Sequence, residues 1–268
     1  MSSNLAEERR QTDLIRNRGA EDGLFRACMD RIRRQHHIGQ LLRSAFVMGG
    51  VFTDVHCYTE LLAQFYVATK ALEALLSKVK DQQPTHISKE MRALLDQYAF
   101  TEAYEADLKY LLGNDWEFDV RQLTSEAAVK YVRKLQTYSN PEEGALAGMI
   151  ILWGPLVIGG GASLYPRVRK AYGEGACNVF KQILGGQGRE GRRNEFINAV
   201  DSVAQKGDDK SPIKFENLVD LCGIYMGHNN EMMTAVKRRA WWVNYVYGGL
   251  SLVVAAALVG MVAAWKKR

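Results

Sequence analysis

The segment ILWGPLVIGGG, residues 151–161, places one proline and four glycines in an otherwise apolar run. It lies within residues 144–165, which carry no charged side chain. Glycine costs about 1 kcal/mol relative to alanine at an interior helical position, so this composition needs a compensating reason. Three reasons are open: the segment crosses a membrane, packs inside a fold, or lets the backbone lie close to a flat ligand. The first is disfavoured, because a proline followed by glycines leaves backbone groups unpaired in lipid unless protein covers them.

Composition bounds the class of protein. The 268 residues suffice for one domain with a substantial core. There are 35 basic and 30 acidic residues, and six of the basic ones form clusters at 237–239 and 266–268, so the body is close to neutral. No nucleic-acid partner is therefore expected. The four cysteines stand far apart, which is typical of free thiols in a reducing compartment: Cys28, Cys57, Cys177 and Cys222.

Apolar residues recur at helical spacing over most of the chain, and alternating strand patterns are absent. The periodicity predicts helices within 23–37, 58–80, 87–112, 125–138 and 214–237. Glycine and charged residues predict loops at 185–194 and 204–212. The fold class is therefore all-α. We expect a charged N-terminal extension at 1–22 and a single helical domain at 23–238.

The C-terminal segment 241–265 contains no charged residue over twenty-five positions, followed by Lys-Lys-Arg. At about 1.5 Å per residue it is long enough to cross a hydrocarbon core of about 30 Å. Tryptophan and tyrosine gather at its first turns and Trp265 at its end, as interfacial rings do. Because the first 23 residues contain no signal-like apolar core, we predict a transmembrane tail anchor with the helical domain in the cytosol.

Several segments, in order, resemble the haem oxygenase (heme oxygenase) family. LWGPLVIGGG is similar to that family's GDLSGG motif, with Gly154 as the leading glycine and Gly159 and Gly160 as the glycine pair. Further similar segments are LFRACMDRIRRQH at 24–36, LLRSAFVMGGVFT at 41–53 with FYVATKALE at 65–73, YEADLKYLLGNDW at 104–116, AAVKYVRKL at 127–135 and GEGACNVF at 173–180. The resemblance covers residues 24–236 and includes the tail anchor.

The resemblance implies that haem b is both substrate and cofactor. Members of the family cleave it with O2 to biliverdin, CO and iron, using electrons from NADPH through a membrane-bound reductase, commonly NADPH-cytochrome P450 reductase. A histidine on the first helix holds the iron, and ungapped alignment puts His36 at that position. His37 stays an alternative, because the following link is two residues shorter than usual and the two side chains point about 100° apart.

The distal motif departs from the family pattern. Pro155 stands where the family has an aspartate that holds a proton-delivering water, and proline has neither a carboxylate nor a backbone N–H. Val157 and an inserted Ile158 replace the serine, and no acidic residue lies between Glu143 and Glu174. Proton delivery needs positioned polar groups or water, so this pattern predicts a dry distal pocket.

Other family contacts are also reduced. Met149 and Ile151 match the family's distal tyrosine and arginine. Of the two basic residues that clasp the haem propionates, one corresponds to Ile197 and the other is matched most nearly by Arg193. Arg33 and Arg34 either help to clasp a propionate or form a solvated basic turn.

Three hypotheses follow for function. The chain is a working haem oxygenase in which solvent or another polar group replaces the aspartate. Alternatively, it is a non-catalytic homologue that binds haem, or it is a haem-free, membrane-tethered helical adaptor whose pocket is filled. The family resemblance favours the endoplasmic reticulum, whereas basic flanks also suit the mitochondrial outer membrane.

Overall fold

The computed structural model describes residues 23–81, 87–159, 161–184, 188–205 and 211–237. Within these ranges the chain forms helices and no β-strand, as the periodicity predicts. The helices are α1 Leu24–Gly49, α2 Val55–Asp81, α3 Lys89–Gln97, α4 Phe100–Leu112, α5 Trp116–Leu123, α6 Glu126–Thr137, α7 Pro141–Val157, α8 Gly161–Tyr172, α9 Asn178–Leu184, α10 Arg189–Asp201 and α11 Phe215–Thr234. A short 3₁₀-helix, Glu174–Ala176, joins α8 to α9.

Polar side chains fix the starts of several helices. Ser88 caps α3 and Ser125 caps α6, each accepting a hydrogen bond from the third residue that follows. Asn140 caps α7 by accepting from the backbone N–H groups of Glu142 and Glu143. Pro141 follows at the first helical position, where its missing N–H costs nothing. These caps satisfy donors that have no partner inside the helix.

The apolar period over 87–112 predicts one helix, but the chain forms two, because Tyr98 is extended (φ −119°, ψ 130°) at the end of α3. The new helix, α4, begins against a side chain of α2. The Glu73 carboxylate accepts from the backbone N–H groups of Phe100 and Thr101 at 2.8 and 3.0 Å. A half-buried carboxylate from another helix therefore supplies the cap.

The predicted loop at 185–194 is wrong in its second half, since α10 begins at Arg189. Residues 189–194 contain three arginines, one glutamate, a glycine and an asparagine, and this composition alone favours a loop. The helix forms because it continues into Phe196 and Ile197, which are buried in the core. Tertiary burial outweighs local propensity here.

Helix α7 lies at the centre of the molecule. Its residues from Glu142 to Gly154 are all buried, and it packs against α2, α6, α10 and α11. A helix that is apolar on every side must be surrounded in this way. The central run of the sequence is therefore a core helix, which was one of its three interpretations.

Helices α1 and α11 pack side by side and run in the same direction. Arg31 pairs with Asp220 near the start of α11, and the backbone carbonyl of Gln35 accepts from Asn230 Nδ2 at 2.9 Å further along. Gly39 allows this approach, because a Cβ there would lie 2.8 Å from Asn230 Oδ1. The C-terminal half of α1 thus lies at the end of α11 that leads to residue 237.

None of the helices in the described part of the chain has the length and hydropathy needed to cross a bilayer. The predicted tail anchor, 241–265, lies outside the described residues, as does the N-terminal extension 1–22. Both therefore stay predictions. The helical domain that we predict at 23–238 is described up to residue 237, with short gaps.

Candidate functional site

Helix α7 is buried along most of its length and becomes partly exposed at its C-terminal turn. Gly154 is buried, Pro155 is exposed, and Leu156, Ile158 and Gly159 are half-buried. This change from complete burial to partial exposure occurs in the segment that resembles the haem oxygenase distal motif. Residues 155–159, which we call the distal segment, therefore form a partly uncovered apolar surface in which only Val157 is buried.

Glycine is required at some positions of this region and not at others. A Cβ at Gly159 would lie 2.5 Å from the carbonyl oxygen of Pro155, and one at Gly161 would lie 3.0 Å from the Leu156 backbone. Both glycines are therefore needed because the chain folds back tightly between α7 and α8. A Cβ at Gly154 would meet only Phe196, at 3.8 Å, so the leading glycine has room beside it. Gly160 lies outside the described residues.

Pro155 lies inside α7, two residues before its last residue, Val157. A proline there removes the backbone N–H that would bind the Ile151 carbonyl four residues earlier. The helix closes after it with 2.9 and 3.2 Å hydrogen bonds from the N–H groups of Ile158 and Gly159 to the Gly154 carbonyl. The ring of Pro155 is exposed, so it brings no acid to the distal segment and does not shield the segment from solvent.

The two candidate axial histidines differ in their surroundings. His36 is half-buried, whereas His37 is exposed, and their ring centroids are 6.5 Å apart. Phe25 lies eleven residues before His36, which is about three helical turns, so both lie on the same stripe of α1. The Phe25 ring packs edge-to-face on Phe196 of α10, with centroids 6.4 Å apart.

Phe196 links the two sides of the candidate site. It is fully buried, and its ring lies between Phe25 of α1 and the Gly154 position of α7. Phe25, at the N-terminal end of the stripe that carries His36, is therefore linked through Phe196 to the Gly154 end of α7, and His36 lies about 16 Å further along α1. His37 points about 100° away from that stripe, into solvent. The sequence analysis missed Phe25 and Phe196, although the spacing of eleven between Phe25 and His36 was a usable signal.

Basic residues near the site lie on α10 and α1. Arg193 is buried, one turn before Phe196 and Ile197 on α10. Arg33 and Arg34 are exposed, and Arg33 forms an ion pair with Asp30 of its own helix. The buried Arg193 is thus held close to the linking aromatic residue, whereas the two α1 arginines are surface groups.

The remaining aligned positions are core residues. Met149 and Ile151 of α7 and Ile197 of α10 are each at most 3% exposed. In place of the distal tyrosine and arginine, the structure therefore has buried apolar side chains. The buried Trp153 indole, next to Gly154 in sequence, has an N–H without a hydrogen-bond partner among the described residues.

The nearest acidic residues along the chain lie away from the distal segment. Glu143, at the start of α7, accepts hydrogen bonds from Lys214 N and from Asn217 Nδ2. It is about 18 Å from Pro155 along the helix, at 1.5 Å per residue. Glu174 is exposed, and hydrogen bonds from Tyr165 and Lys181 lower its pKa below the ordinary value. Neither carboxylate replaces the missing aspartate.

The described part of the chain offers no competing site of the same kind. Within the described ranges, no group of three or more His, Cys, Asp or Glu side chains is arranged to hold a metal ion. A surface groove of about 510 Å³ lies between α4 and α9, and none of its lining residues belongs to α1 or α7. The histidine-bearing face of α1 and the distal segment are therefore the parts of the described structure that match the resemblance.

Comparisons with known proteins agree with the fold. Residues 24–151 match the family model described as heme oxygenase. Heme oxygenase 2 from Chlamydomonas reinhardtii, solved without heme, is 21% identical with a TM-score of 0.69, over 81% of this chain and 98% of that one. Heme oxygenase-1 from the cyanobacterium Synechocystis, solved with heme, is 19% identical with a TM-score of 0.61, over 88% and 99%.

The heme oxygenase of Leptospira interrogans has a TM-score of 0.62 at 19% identity, covering 79% of this chain and 98% of that one. No curated protein matches the chain at a significant level. The all-helical fold is thus that of the haem oxygenases. The family model matches α1 through most of α7, so this part of the chain is similar in sequence to haem oxygenases, which confirms the resemblance.

Proposed function

We propose that the chain is a haem oxygenase-type protein that binds haem b through His36 and cleaves it to biliverdin, CO and iron. The observation that carries the proposal is the placement of His36. It is half-buried on the stripe of α1 that also carries Phe25, whose ring packs on Phe196, which in turn lies against the Gly154 position of α7. The match of residues 24–151 to the family model supports haem as the substrate class, and the axial role and the cleavage are the proposed part.

The residues present fit a bound porphyrin in three respects. His36 offers an imidazole nitrogen on a face that is only partly covered. The distal segment offers apolar contact through Leu156 and Ile158, and Gly154 has space beside its Cα. Arg193 is the basic residue placed to attract a propionate, by a charge-assisted hydrogen bond. Bound haem supplies the iron at which O2 reacts and is itself the molecule that is cleaved.

Haem cleavage needs protons, and this chain has no distal carboxylate to help deliver them. No acidic residue occurs between Glu143 and Glu174, and the two that flank this stretch are engaged elsewhere. Because Pro155 is exposed, water reaches the distal segment from solvent. We infer that solvent takes the place of the aspartate-held water, which makes cleavage slow but not impossible.

The electron donor and the membrane location are the remaining parts of the proposal. A membrane-bound reductase, of the NADPH-cytochrome P450 reductase type, is the proposed donor, and the 241–265 segment is the proposed anchor that brings the domain to the same membrane. The endoplasmic reticulum is the proposed location, with the mitochondrial outer membrane as the alternative. Each of these rests on the family and the sequence.

The axial role is tested by single replacements in the full chain. We expect His36→Ala to lose most of the haem absorption spectrum and to regain it on addition of imidazole, which enters the vacated space. His37→Ala is the matched control and should keep the spectrum. If His37→Ala loses the spectrum and His36→Ala keeps it, the axial residue is His37. If both variants keep it, neither histidine holds the iron.

A further inference from the structure

Helix α1 has an outer face that no other described helix covers. It consists of Arg34, Ile38 and Leu41, which follow each other at spacings of four and three and therefore share one side of the helix. Leu41 is 72% exposed and Ile38 is 45% exposed. His37, also exposed, lies beside them. A pair of large apolar side chains thus projects from a helix whose other side is packed on α11.

The helix is also strongly basic. It carries five arginines and one aspartate, and no lysine or glutamate. Arg31 and Arg33 form ion pairs with Asp220 and Asp30, whereas Arg34 stands on the outer face itself. Apolar side chains next to cationic ones are typical of a helix that lies on an anionic lipid surface.

The outer face lies at the membrane end of the domain if the tail anchor inserts. Helices α1 and α11 run in the same direction, and Gly39 packs against Asn230. Residue 230 is one to two turns from the end of α11, and the described chain ends at Lys237. Only three residues then precede Trp241, where the uncharged segment begins. The N-terminal end of α11, around Glu216, lies about 27 Å from the C-terminal end of the same helix.

We propose that the outer face of α1 rests on the anionic headgroups of the bilayer that holds the C-terminal segment. The inference rests on the proposed anchor and is independent of haem chemistry. Two apolar side chains and one arginine bind lipid weakly by themselves. The anchor supplies a high effective concentration, so a weak contact suffices to fix the orientation of the domain. His36 would then sit on a helix held parallel to the membrane surface.

The experiment uses the full chain in lipid vesicles with a fluorescent label on Leu41→Cys. The native cysteines Cys28, Cys57, Cys177 and Cys222 are all buried, so labelling is directed to the new one. The matched control is Glu216→Cys, exposed at the opposite end of α11. We expect a nitroxide on the lipid headgroup to quench the label at 41 at least threefold more strongly than the label at 216.

Charge is tested in the same samples. Quenching at position 41 should fall in vesicles of neutral lipid alone, and it should fall when Arg34→Glu is added to the labelled chain. Equal quenching at 41 and 216 overturns the inference while leaving the anchor intact. Equal quenching in neutral and anionic vesicles overturns the proposed contact with anionic headgroups. A chain that does not float with vesicles overturns both the anchor and the inference, whereas haem absorption is read separately.

Discussion

Pro155 is the residue that we propose most limits haem cleavage by this chain. It stands in the distal segment with its ring exposed, and it supplies neither a carboxylate nor an N–H. We expect Pro155→Asp to raise the rate of biliverdin formation about tenfold or more, because positioned proton donors typically contribute at least that much. The measurement is the rate of bile-pigment appearance with NADPH and a reductase.

The matched control for that change is Pro155→Asn, which also removes the proline but adds no acid. If only Pro155→Asp raises the rate of biliverdin formation, the missing carboxylate is what limits that rate. Equal gains in both variants would show that the proline ring, and not the absent acid, slows the reaction. No gain in either would contradict the account of Pro155.

Gly148 shows that a glycine in α7 serves packing. A Cβ there would lie 2.8 Å from Leu135 Cδ2 and 3.0 Å from Leu72 Cδ1. We expect Gly148→Ala to lower the free energy of unfolding by about 1–3 kcal/mol, because overpacking outweighs the gain in helix propensity. Denaturant unfolding of the full chain measures this.

Gly154→Ala is the control on the same helix, since its Cβ would meet only Phe196, at 3.8 Å. There we expect no loss of stability and a gain of up to about 1 kcal/mol. If both variants lose stability equally, the contacts of Gly148 are not the cause. The sequence shows that the segment is unusually rich in glycine. It does not show why, because the cause lies in tertiary contacts with Leu72 and Leu135 and in the chain reversal at Gly159.

At the scale of helices, a single buried carboxylate connects α4 to α9. Asp107 accepts from the backbone N–H groups of Asn178 and Val179, at 2.6 and 3.1 Å, and from Asn178 Nδ2 at 2.8 Å. We expect Asp107→Ala to cost about 1–3 kcal/mol of unfolding free energy, because two buried donors lose their acceptor. Asp115→Ala is the control, since Asp115 precedes α5 without making a cap hydrogen bond.

The pH dependence of the same replacement has a defined sign. Burial raises the pKa of Asp107 above its ordinary value of 3.8, although the hydrogen bonds from Asn178 and Val179 oppose this. The folded chain then binds more protons than the unfolded chain between the two pKa values. The stability that Asp107 contributes therefore falls as pH rises through that window. We expect the destabilisation by Asp107→Ala to be larger near pH 3 than at pH 7, and the opposite trend would contradict this assignment.

Helix positions were predictable where the apolar period is long and uninterrupted, as in α2 and α11. The break at Tyr98 was not, because it depends on Glu73 of α2 capping α4 from a distance of 27 residues along the chain. The start of α10 at Arg189 was also missed, since burial of Phe196 and Ile197 overrides a glycine-rich composition. Local sequence thus predicts helices better than it predicts where tertiary contacts divide or extend them.

At the scale of the whole molecule, the all-helical fold followed from periodicity and the family from several ordered segments. The sequence reduced the candidates for the proposed axial histidine to His36 and His37. Choosing between them needs the packing of α1 on α10 and α11, which buries one side of α1 and exposes the other. The missing distal acid was visible directly in the sequence, but the exposure of Pro155 to solvent was not.

The most direct test of the central claim is a haem titration of the full chain, followed by absorption spectra before and after NADPH and a reductase. The account predicts a Soret band that saturates near one haem per chain and then decays to a bile pigment. A stable band would contradict the proposed cleavage while leaving haem binding in place. No band at all would contradict the site itself, and it would leave His36 and the distal segment as parts of a helical scaffold.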